Sequence, residues 1–227
     1  SIHGNLELLV ICPNDDSRTI ELVKQESRKI AYPVKLIHDS GTGIYPAMNV
    51  GIMNCKGKYV MFWNSGDLSQ GASVMSEFLA YLETCDADWG VAQGNFSWRR
   101  EITLTHQNVM AFVLQSDGYI SHQTVFAKKL SLKDLGGFNE KFRVSADMDV
   151  ITKLFIKCGK PEFFNASIVD VEFPEFSGKN HRRGRYENLI ICAKELPLKF
   201  KFRALGNAFR KEFGYARNRI FANDPKL

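Results

Sequence analysis

The sequence predicts an α/β fold in which helices flank a mostly parallel central sheet. Three short apolar segments, Leu6–Ile11, Val34–His38 and Lys58–Trp63, have the length and composition of buried strands. The stretches between them, Ser17–Ile30 and Tyr45–Asn54, carry apolar residues at helical spacing. Strands that alternate with helices are typical of a parallel sheet built from crossover connections. In such sheets ligands bind at the carboxyl ends of the strands.

The rest of the chain extends this pattern without an internal repeat. We predict, in order, a helix at Ser73–Thr84, a hairpin of Trp89–Trp98 with Arg100–Thr105, a strand at Ser121–Lys128, a turn at Asp134–Asn139, a helix at Asp147–Lys157, a strand at Glu162–Val171 and a helix at Glu187–Glu195. We interpret residues 1–196 as one domain and residues 197–227 as a basic amphipathic helix or tail.

Composition places the chain among globular proteins. Of its 227 residues, 44% are hydrophobic and 24% are charged, which suits one ordinary domain. The five cysteines are odd in number and none has CxxC spacing, so we expect free thiols in a reducing cytosol and no zinc site. No signal segment or run of roughly 18 apolar residues is present, and we therefore expect a cytoplasmic protein.

The positive charge is concentrated in the C-terminal segment. Residues 197–227 hold eight Lys or Arg and two acids, whereas the whole chain carries +5, so the first 196 residues are near neutral. This distribution argues against a broad nucleic-acid-binding surface. Five apolar residues share one face of the predicted helix: Leu198, Phe202, Leu205, Phe209 and Phe213. That face either lies on an anionic membrane, at its inner side, or packs on the domain.

Polar loops follow all three N-terminal strands, at Asn14–Asp16, Asp39–Gly43 and Asn64–Asp67. The last loop offers hard oxygen ligands for Mg²⁺ or Mn²⁺, or is an ordinary polar turn. Glycines before the helix at Tyr45–Asn54 allow a phosphate or sugar to approach the backbone, or form a simple strand-to-helix turn. Farther on, Asp147 lies near a helix start, where it either caps the helix or acts as a general base.

Four segments in this order resemble bacterial family 2 glycosyltransferases: GIYPAMNVGI, KYVMFWNSGD, SHQTVF and LGGFNEKFRVSADMDV. The resemblance covers roughly Leu6–Lys160. It implies a GT-A fold, which is a Rossmann-like nucleotide-sugar-binding fold, and a role in bacterial cell-envelope polysaccharide biosynthesis. The implied reaction is an inverting transfer from a UDP-, GDP- or TDP-linked sugar to a saccharide or lipid-linked acceptor.

The resemblance also assigns roles to individual residues. Asp147 matches the catalytic base, and His122 and Gln123 match an HQ pair near the donor and acceptor. At the DxD metal motif both acids are replaced, by Asn64 and Gly66. Asp67 then remains as the carboxylate that holds Mg²⁺ or Mn²⁺, together with Asn64. The loss of both acids leaves open a degenerate protein that binds a sugar nucleotide without turnover.

The donor site is less well defined by this match. Where the family has an Asp that reads the base, this chain has Cys12. A basic segment, Ser177–Arg185, either closes on the diphosphate as a loop or is simply solvated. The residues that we expect to bind the donor are Asn14, Asp16, Asp39, Gly43, Asn49, Ser65, His122, Gln123, Arg182 and Arg183.

The family normally begins with one more strand and helix before the strand at Leu6–Ile11. We therefore expect an incomplete N-terminus or a replacement element, with two strand edges left exposed in its absence. A nucleotidyltransferase on a similar fold is the other enzyme class to consider, although its glycine-rich loop with Arg and Lys near the first strand is not found.

Overall fold

A computed structural model of the protein describes residues 5–97, 104–115, 120–172 and 179–222, of which 212–222 are described as backbone only. Seven strands form within these ranges: β1 (Leu8–Pro13), β2 (Val34–Asp39), β3 (Tyr59–Val60), β4 (Leu68–Ser69), β5 (Trp89–Phe96), β6 (Val125–Lys128) and β7 (Glu162–Val171). The same ranges hold eight α-helices: α1 (Ser17–Glu26), α2 (Ile44–Asn54), α3 (Ala72–Thr84), α4 (His106–Val113), α5 (Lys129–Asp134), α6 (Ala146–Lys153), α7 (His181–Glu195) and α8 (Leu198–Ala222).

The strands form two sheets. β1 and β2 pair in parallel as a sheet of their own, and the other five strands lie in the order β3-β6-β5-β7-β4. In the larger sheet only β5 and β7 are parallel, and the other three pairs are antiparallel. The prediction of a mostly parallel sheet is therefore wrong beyond β2. That prediction depended on the alternation of strand and helix, which covers only the first 63 residues. The later strands run in both directions within the larger sheet.

Helices cover both faces of the five-stranded sheet. Side chains alternate along each strand, so Trp89 and Val91 of β5 face one way and Ala92 faces the other. The first two join a large apolar cluster with α2, α4, α6 and α7, while Ala92 joins Phe126 and α3 in a second cluster. Gly90 is required between them, because a Cβ there would lie 2.1 Å from the Phe126 ring.

The predictions of the third strand, of the hairpin and of the strand at Ser121–Lys128 differ from the structure. The third strand is shorter than Lys58–Trp63, since β3 pairs with β6 only at Tyr59 and Val60, and β6 itself begins directly after a 3₁₀ turn. Of the predicted hairpin, β5 is present and residues 98–103 lie outside the described residues. Thr105, placed in the second hairpin strand, instead caps α4, accepting from the backbone N–H of Asn108.

The helices α4 and α5 were not predicted, and the predicted helices α6 and α7 form with shifted ends. α6 starts one residue earlier than predicted, and a π-helical turn, Leu154–Cys158, continues it. The segment Ser177–Arg185 was expected to be a loop, but its described part enters α7 at His181. Of this segment, residues 177 and 178 lie outside the described residues.

The edge of β1 that faces away from β2 has no partner strand within the described ranges, and neither does the edge of β3 that faces away from β6. The two strands are linked at their starts, because Glu7 Oε1 accepts from the backbone N–H of Gly57 at 2.9 Å and also from that of Lys56. This arrangement leaves the small β1–β2 sheet joined to the rest chiefly through α2.

Candidate active site

Asp147 is the second residue of α6, and its side chain is 26% exposed. Its Oδ1 atom accepts hydrogen bonds from the backbone N–H of Met148 at 2.9 Å and from the Tyr45 hydroxyl at 3.3 Å. The single hydrogen of this hydroxyl is shared with the backbone oxygen of Val144, which lies closer at 2.8 Å. Burial, followed by the charge of Asp147, raises the pKa of Tyr45 far above its ordinary value. Tyr45 therefore stays a donor and fixes one oxygen of the carboxylate.

His122 connects Asp147 to the loop after β3. Its Nδ1 atom is 3.5 Å from Asp147 Oδ2, and its Nε2 atom is 3.3 Å from the amide nitrogen of Asn64. If the Asn64 amide donates to Nε2, then Nδ1 carries the ring proton and presents it to Asp147. We call Tyr45, Asn64, His122 and Asp147 the Asp147 cluster. It joins residues as far as 102 positions apart in the sequence.

Asp67 lies in the same loop as Asn64. Its Oδ2 atom accepts from the backbone N–H of Asn64 at 2.6 Å, and its Oδ1 atom is 3.5 Å from Nε2 of Gln123. Oxygens of Asp67 and Asn64 are the hard ligands that Mg²⁺ and Mn²⁺ prefer. Among the residues that the structure describes, no three His, Cys, Asp or Glu side chains form a metal-binding group. The two side chains fit a divalent ion only if a diphosphate and water supply the other ligands.

The ends of β1 and β2 lie side by side, with Cys12 opposite His38 and Pro13 opposite Asp39. Oδ1 of Asp39 is buried and has no hydrogen-bond partner among the described residues. Such an oxygen carries an uncompensated desolvation cost of roughly 1–3 kcal/mol, which a donating ligand would remove. Burial, with smaller contributions from the carboxylates of Asp16 and Asp39, raises the pKa of the Cys12 thiol. The thiol therefore stays protonated.

Two other residues expected to bind the donor lie at this end. Asp16 caps α1, since its Oδ1 atom accepts from the backbone N–H of Thr19 at 3.0 Å. The Thr19 hydroxyl, followed by this backbone N–H, lowers the pKa of Asp16 and keeps it ionised. Asn14 is exposed in the turn after β1. The structure thus gives Asp16 a local role and leaves Asn14 in solvent.

The backbone at the start of α2 leaves room for a ligand to approach it closely. Gly43 precedes the helix with φ of 140°, a conformation that glycine adopts readily. Asn49, one turn after Tyr45, is held by the turn that follows α5: its Nδ2 atom donates to the Phe138 oxygen at 2.9 Å, and its Oδ1 atom accepts from the Phe138 N–H at 2.8 Å. Ser65 is exposed in the loop after β3.

The two predicted diphosphate-binding arginines are on a helix and not on a loop. Arg182 and Arg183 occupy the first turn of α7. Both side chains are exposed, and Nε of Arg183 donates to Glu187 of the same helix at 2.8 Å. The loop prediction failed because glycine in the middle of a basic stretch suggested a turn. Here Gly184 is a helical residue packed against Val144.

Of the predicted site residues, the structure brings Asn64, Asp67, His122 and Gln123 together with Asp147. Ser65 lies in the same loop, directly after Asn64. No described contact joins the other predicted residues to this cluster: Asn14, Asp16, Asp39, Gly43, Asn49, Arg182 and Arg183. Two residues were missed by the sequence reasoning. Tyr45 was visible in the segment GIYPAMNVGI but was read only as part of a helix. Glu187 carried no sequence signal at all.

The comparisons with known proteins give distant relatives. No protein-family model matches the chain. Proteins described as PGL/p-HBAD biosynthesis glycosyltransferase, from Mycobacterium tuberculosis and Mycobacterium bovis, are 23% identical over 158 residues, which is 67% of this chain. The chain spans 59% of the length of these curated relatives.

Solved structures show the fold more completely. TarS from S. aureus in complex with UDP-GlcNAc matches with a TM-score of 0.69 at 16% identity, covering 98% of this chain and 68% of that one. The mannosyltransferase PcManGT from Pyrobaculum calidifontis, in complex with GDP-Man and Mn²⁺, matches with a TM-score of 0.61 at 15% identity, covering 93% and 66%. At these identities the solved structures show that the chain shares their fold.

Proposed function

We propose that this protein is an inverting glycosyltransferase of the family 2 type, with a GT-A fold, that moves a sugar from a nucleoside diphosphate donor to a saccharide or lipid-linked hydroxyl. The observation that carries the proposal is the Asp147 cluster. It presents a partly exposed carboxylate, held by Tyr45 and His122, in a chain with glycosyltransferase relatives. A carboxylate so placed suits the task of a general base.

The proposed reaction follows from this geometry. Asp147 accepts the proton of an acceptor hydroxyl, and the acceptor oxygen attacks the anomeric carbon of the sugar. The bond from that carbon to the diphosphate oxygen breaks on the opposite face, which inverts the anomeric configuration. The leaving diphosphate takes up the electron pair, so it must be met by positive charge or hydrogen-bond donors. A divalent ion held by Asp67 and Asn64 would supply Lewis-acid stabilisation there.

The donor-binding part of the proposal rests on the ends of β1 and β2. The unpaired Oδ1 atom of Asp39 is suited to accept a hydrogen bond from a nucleoside. Gly43 allows a close approach to the backbone at the start of α2. PcManGT, of similar fold, was solved with GDP-Man and Mn²⁺. For this chain we propose ligands of the same two classes, a nucleotide sugar and a divalent metal ion.

Calorimetric titration of UDP, GDP and TDP, each with and without Mn²⁺, tests the proposal on the wild type and on Asp67→Ala. We expect one nucleotide to bind with Mn²⁺ and the variant to lose the metal-dependent part of that affinity. Asp88→Ala, which removes a carboxylate that pairs with Lys128 immediately before β5, is the matched control and should bind as the wild type does. Absence of binding by any of the three nucleotides to the folded wild type would contradict the proposal.

We further propose that α8 holds the protein at an anionic membrane surface, where a lipid-linked acceptor resides. Three of the stripe residues, Leu198, Phe202 and Phe209, are between 52% and 73% exposed, so this part of the stripe is not packed on the domain. They lie within a sector of about 40° on the helix, and exposed Lys199 and Arg203 are beside them. No helix in the described ranges is long and apolar enough to cross a bilayer.

Vesicle co-sedimentation tests this contact. We expect binding to vesicles that contain phosphatidylglycerol and little binding to phosphatidylcholine alone, because basic side chains add electrostatic attraction to apolar burial. Phe202→Ser should reduce binding several-fold. Leu130→Ser, which removes an exposed leucine from α5, is the control and should leave it unchanged. Equal binding to both kinds of vesicle, or none, would contradict the proposal.

A further inference from the structure

The segment that delivers Asp147 to the cluster is held by a buried carboxylate on another helix. Glu187 of α7 is 3% exposed. Its Oε1 atom accepts from the backbone N–H of Arg143 at 3.0 Å, and its Oε2 atom accepts from those of Val144 at 2.9 Å and Ser145 at 3.0 Å. Three consecutive backbone donors thus converge on one side chain, immediately before α6 begins.

The remaining contacts of Glu187 and its neighbours strengthen this attachment. Nε of Arg183 donates to Oε1 at 2.8 Å, which balances the charge of the carboxylate. Ser145 Oγ donates to the backbone oxygen of Gly184 at 3.2 Å. A Cβ at Gly184 would lie 3.0 Å from Val144 Cγ1, so glycine lets α7 pack closely on the segment. The segment 143–145 is therefore bound to α7 through both backbone and side chains.

The charge of Glu187 is well supported where it lies. Burial raises the pKa of Glu187, but the backbone donors of residues 143–145 and the Arg183 guanidinium together outweigh it. The pKa consequently lies below its ordinary value. A buried carboxylate with four donors stays ionised at neutral pH, and charge-assisted hydrogen bonds of this kind are stronger than neutral ones.

Segment 143–145 helps to position both the Tyr45 hydroxyl and the Asp147 carboxylate. The backbone oxygen of Val144 accepts from the Tyr45 hydroxyl, and Asp147 follows two residues after Ser145. Moving the peptide at Val144 therefore moves the tyrosine and the carboxylate relative to each other. Displacements of about 1 Å at a reacting group can reduce catalysis by roughly 100-fold.

We propose that Glu187 is a positioning residue for the transfer reaction: it holds segment 143–145 so that Asp147 and Tyr45 keep the geometry needed for proton abstraction. This inference rests on the proposed function and deepens it. Glu187 acts through the backbone and does not contact substrate. Its loss should therefore lower kcat and leave nucleotide affinity intact.

The test compares Glu187→Gln with Glu195→Gln, which makes the same change two turns later on α7, where Glu195 pairs with Lys194. Glu187→Gln keeps the size of the side chain but replaces one carboxylate oxygen with an NH₂ group. That group cannot accept the hydrogen bonds that the backbone N–H groups of residues 143–145 donate to the carboxylate. We expect kcat to fall about 10- to 100-fold, with KM for the donor and calorimetric affinity for the nucleotide within twofold. The Glu195→Gln control should match the wild type in all three.

Amide hydrogen exchange, read by NMR, tests the attachment without any activity. The amides of Arg143, Val144 and Ser145 should be protected in the wild type and lose protection in Glu187→Gln, but not in Glu195→Gln. If the wild type shows this protection yet transfers no sugar, the proposed function fails while the attachment stands. If Glu187→Gln loses protection and keeps kcat within twofold, the positioning role is overturned.

A second variant covers the case in which Glu187→Gln does not fold. Gly184→Ala leaves the carboxylate in place and pushes on Val144 from α7. We expect a milder fall in kcat, about three- to tenfold, since the neighbour must yield by only a few tenths of an ångström. Unchanged kcat in Gly184→Ala, together with unfolding of Glu187→Gln, would assign Glu187 a purely structural role and overturn the proposal.

Discussion

The Asp147 cluster and the ends of β1 and β2 differ in how their polar groups are satisfied. In the cluster, the Asp147 carboxylate has Tyr45 and the Met148 N–H on one oxygen and His122 beside the other. At the strand ends, one oxygen of Asp39 is buried without any partner in the described part of the chain. The chain thus satisfies the Asp147 carboxylate with its own groups, whereas a buried oxygen of Asp39 has no partner among the described residues. Under the proposed function, Asp147 is the proton acceptor and a ligand completes the other end.

The Asp147 cluster is also more deeply buried than the ends of β1 and β2. α2 and α6 contribute Tyr45, Met148 and Val150 to the large apolar cluster, which holds the Asp147 side firmly. On β1 only Cys12 is buried, and on β2 no residue is fully buried. The β1–β2 end therefore has less packing to define its shape. Three changes can break or sharpen this contrast.

The largest effect is expected from removing the hydroxyl of Tyr45. Tyr45→Phe loses the hydrogen bonds to Asp147 and to the Val144 oxygen, so the carboxylate is less well fixed. We expect kcat to fall about tenfold and the free energy of unfolding to fall by about 1 kcal/mol, with nucleotide affinity unchanged. Steady-state kinetics and denaturant unfolding measure both. Tyr186→Phe, an exposed tyrosine on α7, is the control. If Tyr45→Phe lowered nucleotide affinity as much as kcat, the two regions would not differ in the way described above.

A smaller effect, of opposite character, is expected at Asp39. Asp39→Ala removes the unpaired oxygen, so stability should stay the same or rise, while nucleotide affinity should fall about fivefold. Thermal unfolding and calorimetric titration of UDP, GDP and TDP provide the two readouts. Asp15→Ala removes an exposed carboxylate from the same end of the sheet and should change neither. A stability loss without a change in affinity would show that Asp39 is structural.

A third comparison concerns acid pH. The folded pKa of Glu187 lies below its ordinary value of 4.5, so this carboxylate stabilises the folded protein above that pH, and the contribution is lost as pH falls through the folded pKa. The difference in unfolding free energy between wild type and Glu187→Gln should be about 1–3 kcal/mol near pH 7. It should shrink steadily below pH 4.5. Urea unfolding at several pH values measures it, and a difference that grows toward low pH would contradict the assigned charge.

Local patterns predicted the elements well where the chain is regular. β2, α2, α3, β5 and β7 were found within two residues of their expected ends, because each has clear periodicity and turn residues on both sides. The antiparallel pairing of β6 was not predictable, since the direction of a strand in a sheet depends on contacts distant in sequence. The short pairing of β3 has the same cause, because its partners on β6 are 67 and 69 residues farther on.

The residues of the candidate site were predicted only in part, because some of its contacts also join residues distant in sequence. Asp147, His122, Gln123, Asn64 and Asp67 were assigned by motif resemblance, and the structure places them in contact with one another. Glu187 was missed because a single glutamate on a polar helix has no signature in sequence. Its role depends on the convergence of three backbone N–H groups from a segment 42 to 44 residues earlier, which only the folded chain shows.

The measurement that tests the central claim most directly is a transfer assay with UDP-, GDP- and TDP-linked sugars on the wild type, Asp147→Asn and Asp134→Asn, an exposed carboxylate on α5. Proton NMR of the product reads the anomeric configuration. The account predicts an inverted product from the wild type and the Asp134 control, and a loss in kcat of about 10²- to 10⁴-fold in Asp147→Asn with nucleotide binding retained. A retained configuration, or full activity in Asp147→Asn, would contradict it.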